Sequence, residues 1–227
     1  VYFLFLLISA AGAAGVITQS VGVVGQDVVT SREVQISHAV AKAMETESKT
    51  DLKNFPNVEI SVSDSRFADL TTSYLIEKAT ELEADSFSIA KPSEAEIKEM
   101  TSRVERVLTR KTYWQNLEPE ASMVRRIIVT KLISSNFIKI KSDSMAGIIT
   151  DTEAQSYFEK NRLKFGNASF DSFKENIKTF LIQQQRQERL RSWFEVLKKK
   201  FKIRNLLIEN VKTPRPTPDS QNPSHGK

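Results

Sequence analysis

The sequence predicts a mainly α-helical domain with a minor β pairing between its N- and C-terminal segments. Three observations carry that expectation. Ser or Thr stands three residues before Glu at Thr30/Glu33, Ser93/Glu96 and Thr150/Glu153, each pair opening a segment of periodic apolar residues, the pattern of a capping box. Apolar residues then recur at spacings of three and four, the period of a one-faced helix. Short apolar runs near residues 21–30 (VGVVGQDVVT) and 203–208 (IRNLLI) supply the candidate strands.

In chain order, the two β-branched runs around Gly25-Gln26 read as a two-residue hairpin with Gly at the first turn position. The Thr30 cap starts a helix that reaches about Ala43. Residues 45–63 are polar with one Pro and read as a linker or irregular arm. A helix begins near Asp64, its stripe formed by Phe67, Leu70, Tyr74, Leu75, Ala79 and Leu82. Lys91-Pro92 breaks the chain before the Ser93 cap, after which Ile97, Met100, Val104, Val107 and Leu108 continue the period. After Pro119 a broad stripe from Met123 to Phe137 reads as a buried helix. The β-branched residues 127–129 leave a strand as the competing reading, which the length of the periodic segment disfavours. Thr150 opens a helix with Tyr157 and Phe158. Asp171 is a candidate cap for a long last helix at about 171–201, with Phe173, Ile177, Phe180, Trp193, Phe194, Leu197 and Phe201 along it. Residues 209–227, with four of the seven prolines, read as a disordered tail.

Composition narrows the functions open to the chain. Cysteine is absent, which excludes disulfides, thiol nucleophiles and thiolate metal sites. Of two histidines, His225 lies in the Pro/Ser-rich tail, leaving His38 alone in folded-looking sequence; a histidine-based metal cluster or a Ser-His-Asp triad has little to be built from. Four of seven glycines precede residue 26, too few remaining for a P-loop or dinucleotide-binding turn. No catalytic residue, cofactor or metal is expected, and an enzyme using paired carboxylates is the weakest class.

Residues 1–20 read as a signal peptide or membrane anchor. No charged residue occurs from Val1 to Gln26, and the apolar run Tyr2 to Ile8 precedes the small-residue stretch SAAGAAG, with Ala11-Gly12-Ala13 the best cleavage site. A basic n-region is missing. An uncleaved anchor needs roughly 20 apolar residues, reached only if Gly, Ser and Gln are tolerated; a buried N-terminal element is the third reading. The first two place the body outside the cytoplasm, periplasmic or otherwise exported.

Three stretches carry a family resemblance: VVGQDVVTSREVQ (23–35), YLIEKATELEADSFSIAKPSEAEIKEM (74–100) and ITDTEAQSYFEKNRLKF (149–165). In that order, over roughly 21–208, they resemble the N-terminal domain of SurA-type periplasmic chaperones and related parvulin-type foldases. The resemblance implies a helical chaperone domain whose C-terminal helix returns to complete it. Isomerase-active members insert Gly-rich, His-bearing parvulin domains. Here Phe165 passes almost at once into the last helix, so the implied function is binding of unfolded or outer-membrane protein clients without prolyl isomerase chemistry. A scaffold dedicated to one partner is the alternative.

Candidate client-facing residues are Tyr113 and Trp114, after Thr109-Arg110-Lys111 at a helix junction, with Met123 and Phe137 on the 120–141 stripe. Glu77, Glu81, Glu83 and Asp85, like Glu94, Glu96 and Glu99, read as a solvated helix face. Charge is uneven: 13 acids against six bases over 45–99, and ten bases against three acids over 174–204. The basic helix, with Lys198, Lys199 and Lys200 as its surface cluster, has three readings: packing on the acidic segment, an anionic lipid or acidic protein partner, or nucleic acid. The last is not expected, because the aromatics lie on the apolar stripe rather than interleaved as stacking platforms.

Overall fold

A β-hairpin opens the described part of the chain. The computed structural model describes residues 18–46, 55–145 and 147–212; the signal-peptide reading of residues 1–20 falls almost wholly outside them, as does the tail reading for 213–227. Strand β1 (Ser20–Val24) pairs antiparallel with β2 (Asp27–Thr30) through the turn at Gly25-Gln26. Gly25 has φ of 61°, the left-handed first position that a type II′ turn assigns to glycine. Seven helices follow: α1 (Ser31–Met44), α2 (Phe67–Ser86), α3 (Glu94–Leu108), α4 (Thr112–Asn116), α5 (Ala121–Ser144), α6 (Asp151–Lys160) and α7 (Arg162–Phe165). The 31-residue α8 (Phe170–Lys200) then leads into β3 (Arg204–Asn205) and α9 (Leu206–Lys212). The sheet order is β2-β1-β3, with Gly22 opposite Asn205 and Val23 opposite Arg204. The protein is therefore mainly helical, with a small three-stranded antiparallel sheet joining its two ends.

The expected helix starts are where local hydrogen bonding puts them. Ser93 and Thr150 each accept from the N–H of the Glu three residues on, and that Glu returns to the cap's backbone. Thr30 accepts from the Glu33 N–H, yet the Glu33 carboxylate does not close the box. It is buried instead, accepting from the Tyr74 hydroxyl at 2.8 Å with Lys78 Nζ at 3.7 Å. Burial, reinforced by that carboxylate, pushes the Tyr74 phenol well above its ordinary range, so it stays a hydrogen-bond donor.

The main core joins α1, α2, α3, α5 and the sheet around Ile36, Phe67, Leu75, Leu108, Ile127 and Val21. A Cβ on Gly22 would lie 2.7 Å from the Leu75 side chain, so glycine lets β1 approach α2. The 127–129 segment is helical. Asp171 lies in the first turn of α8, two residues past the cap position at Ser169.

Three expectations are corrected. The described part of the 45–63 arm is irregular, as expected, but it is no linker: Phe55 and Ile60 are buried in the main core, with Val58 and Val62 packed beside them; residues 47–54 lie outside the described residues. Leu206 to Ile208, expected as strand, is helical, because β1 offers β3 only the two facing positions at Gly22 and Val23. Residues 209–212, placed with the disordered tail, belong to that same helix.

Glycine scarcity shows at the helix ends. Ser88, Glu118 and Lys202 occupy the left-handed conformation just past α2, α4 and α8 (φ 51°, 45° and 48°). After α8, the Ile203 N–H bonds the Lys198 carbonyl and the Lys202 N–H the Lys199 carbonyl. This is the Schellman arrangement, which usually places glycine where Lys202 stands.

Helix α8 serves two clusters. Its C-terminal half brings Leu197, Trp193, Phe194 and Phe201 to the main core. Its N-terminal half packs on α6 and α7 around Ile149, Phe158 and Ile177. Between them, much of the 183–192 stretch faces solvent.

Candidate functional site

The residues expected to face clients are mostly structural. Phe137 is 2% exposed and Trp114 7%. Phe137 meets Trp193 edge-on with ring centroids 5.9 Å apart, and Phe87 at 5.4 Å. Lys141 Nζ lies 4.9 to 5.9 Å from the same three rings, a cation–π contact supplied from within the fold. Met123 is half-buried against the main core. Tyr113 lines a surface cavity, and burial raises its phenol above the ordinary value.

Asp85 on α2 and Glu94, Glu96 and Glu99 on α3 are exposed, as expected of a solvated face, but Glu77, Glu81 and Glu83 of α2 are engaged within the fold. Glu77 pairs with Lys131 at 2.7 Å, Glu81 accepts from the Thr130 hydroxyl at 2.7 Å, and Glu83 pairs with Lys200 at 2.5 Å. Leu82, expected on the apolar stripe, is exposed, whereas Glu83 is 8% exposed. The basic cluster divides accordingly: Lys200 reaches across to Glu83, Lys198 pairs with exposed Glu195, and Lys199 lies in the exposed last turn. One ion pair thus links the basic end of α8 to the acidic segment.

An apolar groove of about 240 Å³ lies between α6, α7 and α8. Tyr157 on α6, Phe165 on α7 and Phe173, Ile177 and Phe180 on α8 line it, with Asn176 and Lys164 at its edge. The chain makes it by turning sharply. Asn161 ends α6 and its side-chain amide donates to the Tyr157 carbonyl; α7 then swings Phe165 to 5.3 Å from Phe173 and 4.8 Å from Phe158. Asp151 clamps the first turn of α6 to Lys174 and Lys178 of α8, and their hydrogen bonds hold its carboxyl below the usual range. Phe180, 5.4 Å from Tyr157, remains 47% exposed, and Leu163 on α7 is 99% exposed. Its volume lies below the roughly 300–1,000 Å³ typical of small-molecule and cofactor sites; it suits apolar side chains of a partner. The stripe residues of this groove were readable in sequence, but nothing local showed that α7 would bring Phe165 across.

A second, larger cleft of about 590 Å³ lies between residues 58–62, α1 and the 113–118 segment. Arg32 secures its α4 wall by donating to the Leu117 carbonyl at 2.6 Å and to that of Glu118.

Among the described residues, no group of three or more His, Asp or Glu side chains could hold a metal ion, and no helix is long and apolar enough to cross a membrane. No protein-family model matches the chain, and neither a curated protein nor a solved structure does.

Proposed function

We propose that this protein is an exported, SurA-like chaperone domain that binds unfolded or outer-membrane protein segments in the groove between α6, α7 and α8. The observation that carries this reading is the exposed aromatic lining of that groove. Phe180 stands exposed in the lining beside the Tyr157 ring, and Leu163, two residues before the lining residue Phe165, is uncovered on α7; apolar surface of this kind gains about 25 cal/mol for each Å² removed from water. Such burial is non-directional, so varied apolar segments can bind without a catalytic group. Two further features support the family part of the reading. The capping boxes begin helices in the order that the family's segments suggest, and α8 returns to the hairpin as the C-terminal helix of that family is expected to do. The apolar sequence before residue 20 supports export to the periplasm, with or without an inner-membrane anchor. Prolyl isomerisation is not part of the activity.

The test is suppression of light scattering by denatured porin and by several unrelated unfolded proteins. Dose-dependent suppression across all of them is expected. Binding confined to one protein would replace the chaperone with a dedicated envelope scaffold, and the absence of binding to any would reject both.

A further inference from the structure

Aromatic rings from α5, α8 and the end of α2 converge on one ammonium group. Lys141 Nζ lies over the rings of Phe87, Phe137 and Trp193, 4.9, 5.9 and 5.9 Å from their centroids, all within reach of a cation–π contact. The rings are held by contacts other than Lys141. Phe137 shares a buried cluster with Ala84 and Ile133, and Trp193 meets it edge-on. Phe87 follows the last residue of α2, where its N–H bonds the Ala84 carbonyl and Ser88 turns left-handed. That turn sets Phe87 against Phe137 while leaving it 52% exposed. Phe137 is the floor of this cage and Phe87 its open wall.

The occupant is poorly matched to its seat. A lysine ammonium carries three N–H donors, and among the described residues that of Lys141 has neither an acid nor a hydrogen-bond acceptor. It gives up hydration for ring faces alone, a cost for a strongly hydrated cation. A quaternary ammonium brings the same charge with no N–H to satisfy, and aromatic cages are the usual device for recognising it. Lys141 also has somewhere to go. It is half-buried in the last turn of α5, where a released cation meets water and the negative end of the helix.

We propose that Phe87, Phe137 and Trp193 form a binding site for a free trimethylammonium compound of the choline type, which enters past Phe87 and displaces the Lys141 ammonium. Lys141 is then a tethered competitor: it fills the cage when the ligand is absent and sets the concentration at which the ligand takes over. The site lies against the C-terminal half of α8 and does not depend on the client groove at the N-terminal half.

Proton NMR titration of choline with the full chain tests it. Held between ring faces, the choline methyl resonance should move upfield. The uncharged isostere, with carbon in place of the quaternary nitrogen, should show no such shift. Lys141→Ala should tighten choline binding about 2- to 30-fold, the range that a cation–π contact spans. Phe87→Leu, at an exposed position, should weaken it by a similar factor with a melting temperature close to the parent's. Attachment to phosphatidylcholine vesicles should be the same for the parent and Phe87→Leu, which separates a free ligand from a lipid head group. A Phe180→Ser variant should bind choline normally, so failure here is distinct from failure of the groove. No choline binding, an equal shift with the uncharged isostere, affinity unmoved by both cage substitutions, or a dependence on Phe87 seen only with vesicles would each overturn the proposal.

Discussion

The main-chain N–H of Gly25 donates to the carbonyl of Phe201 across 2.7 Å. This bond joins the turn of the first hairpin to the end of the last long helix, three residues before β3 begins to pair with β1. It depends on Gly25 holding φ at 61°. A Cβ there would meet no atom within 4 Å, so any cost of Gly25→Ala comes from the left-handed backbone alone, about 1–2 kcal/mol. Chemical denaturation should show that loss with an unchanged slope.

Lys202 is the converse case. It holds the left-handed position of a Schellman cap in which glycine is normally at ease. Lys202→Gly should therefore raise stability by about 0.5–1 kcal/mol, read as a higher melting temperature. A lower one would show that the lysine side chain contributes more than its backbone strain costs.

The three consecutive lysines at the end of α8 should not respond alike. Lys200→Gln leaves the Glu83 carboxylate buried without its 2.5 Å partner, a loss of about 1–2 kcal/mol. Lys199→Gln removes an exposed charge and should shift stability by less than about 0.5 kcal/mol. Paired thermal melts of the two variants check the difference.

His38 gives the fold an acid-side sensitivity. Burial, followed by the charges of Lys42, Arg66 and Lys131, lowers its pKa from 6.5. The unfolded chain then binds the proton more readily than the folded one, so stability is full above pH 6.5 and falls as pH drops below it toward the lowered folded value. His38→Gln should flatten that part of the curve. An identical fall in the variant would assign it to other groups.

The legible parts of this fold are those decided within a few residues. Ser93 and Thr150 cap their helices because the partner Glu lies three positions away, and the glycine turn of the hairpin is equally local. The illegible parts were decided at a distance. Whether Leu82 or Glu83 turned inward depended on Lys200, 117 residues further on. Phe55 and Ile60 are isolated apolar residues in a polar stretch, too sparse to set a period, and only the finished core shows that they complete it. Trp114 and Phe137 looked available to clients because an aromatic at helical spacing reads the same whether its face is covered or open. In the groove, the Tyr157, Phe173 and Phe180 stripe was readable. The crossing of Phe165 was not, since it depends on the break at Asn161 and on Asp151 holding α6 against Lys174 and Lys178.

The most direct test of client binding in that groove is aggregation suppression by a Leu163→Ser/Phe180→Ser variant, measured beside its melting temperature. Both side chains are exposed, so the variant should melt close to the parent. The account predicts that it loses most of its suppression of porin aggregation while staying folded. Full suppression by the folded variant would contradict the assignment of the groove as the client site.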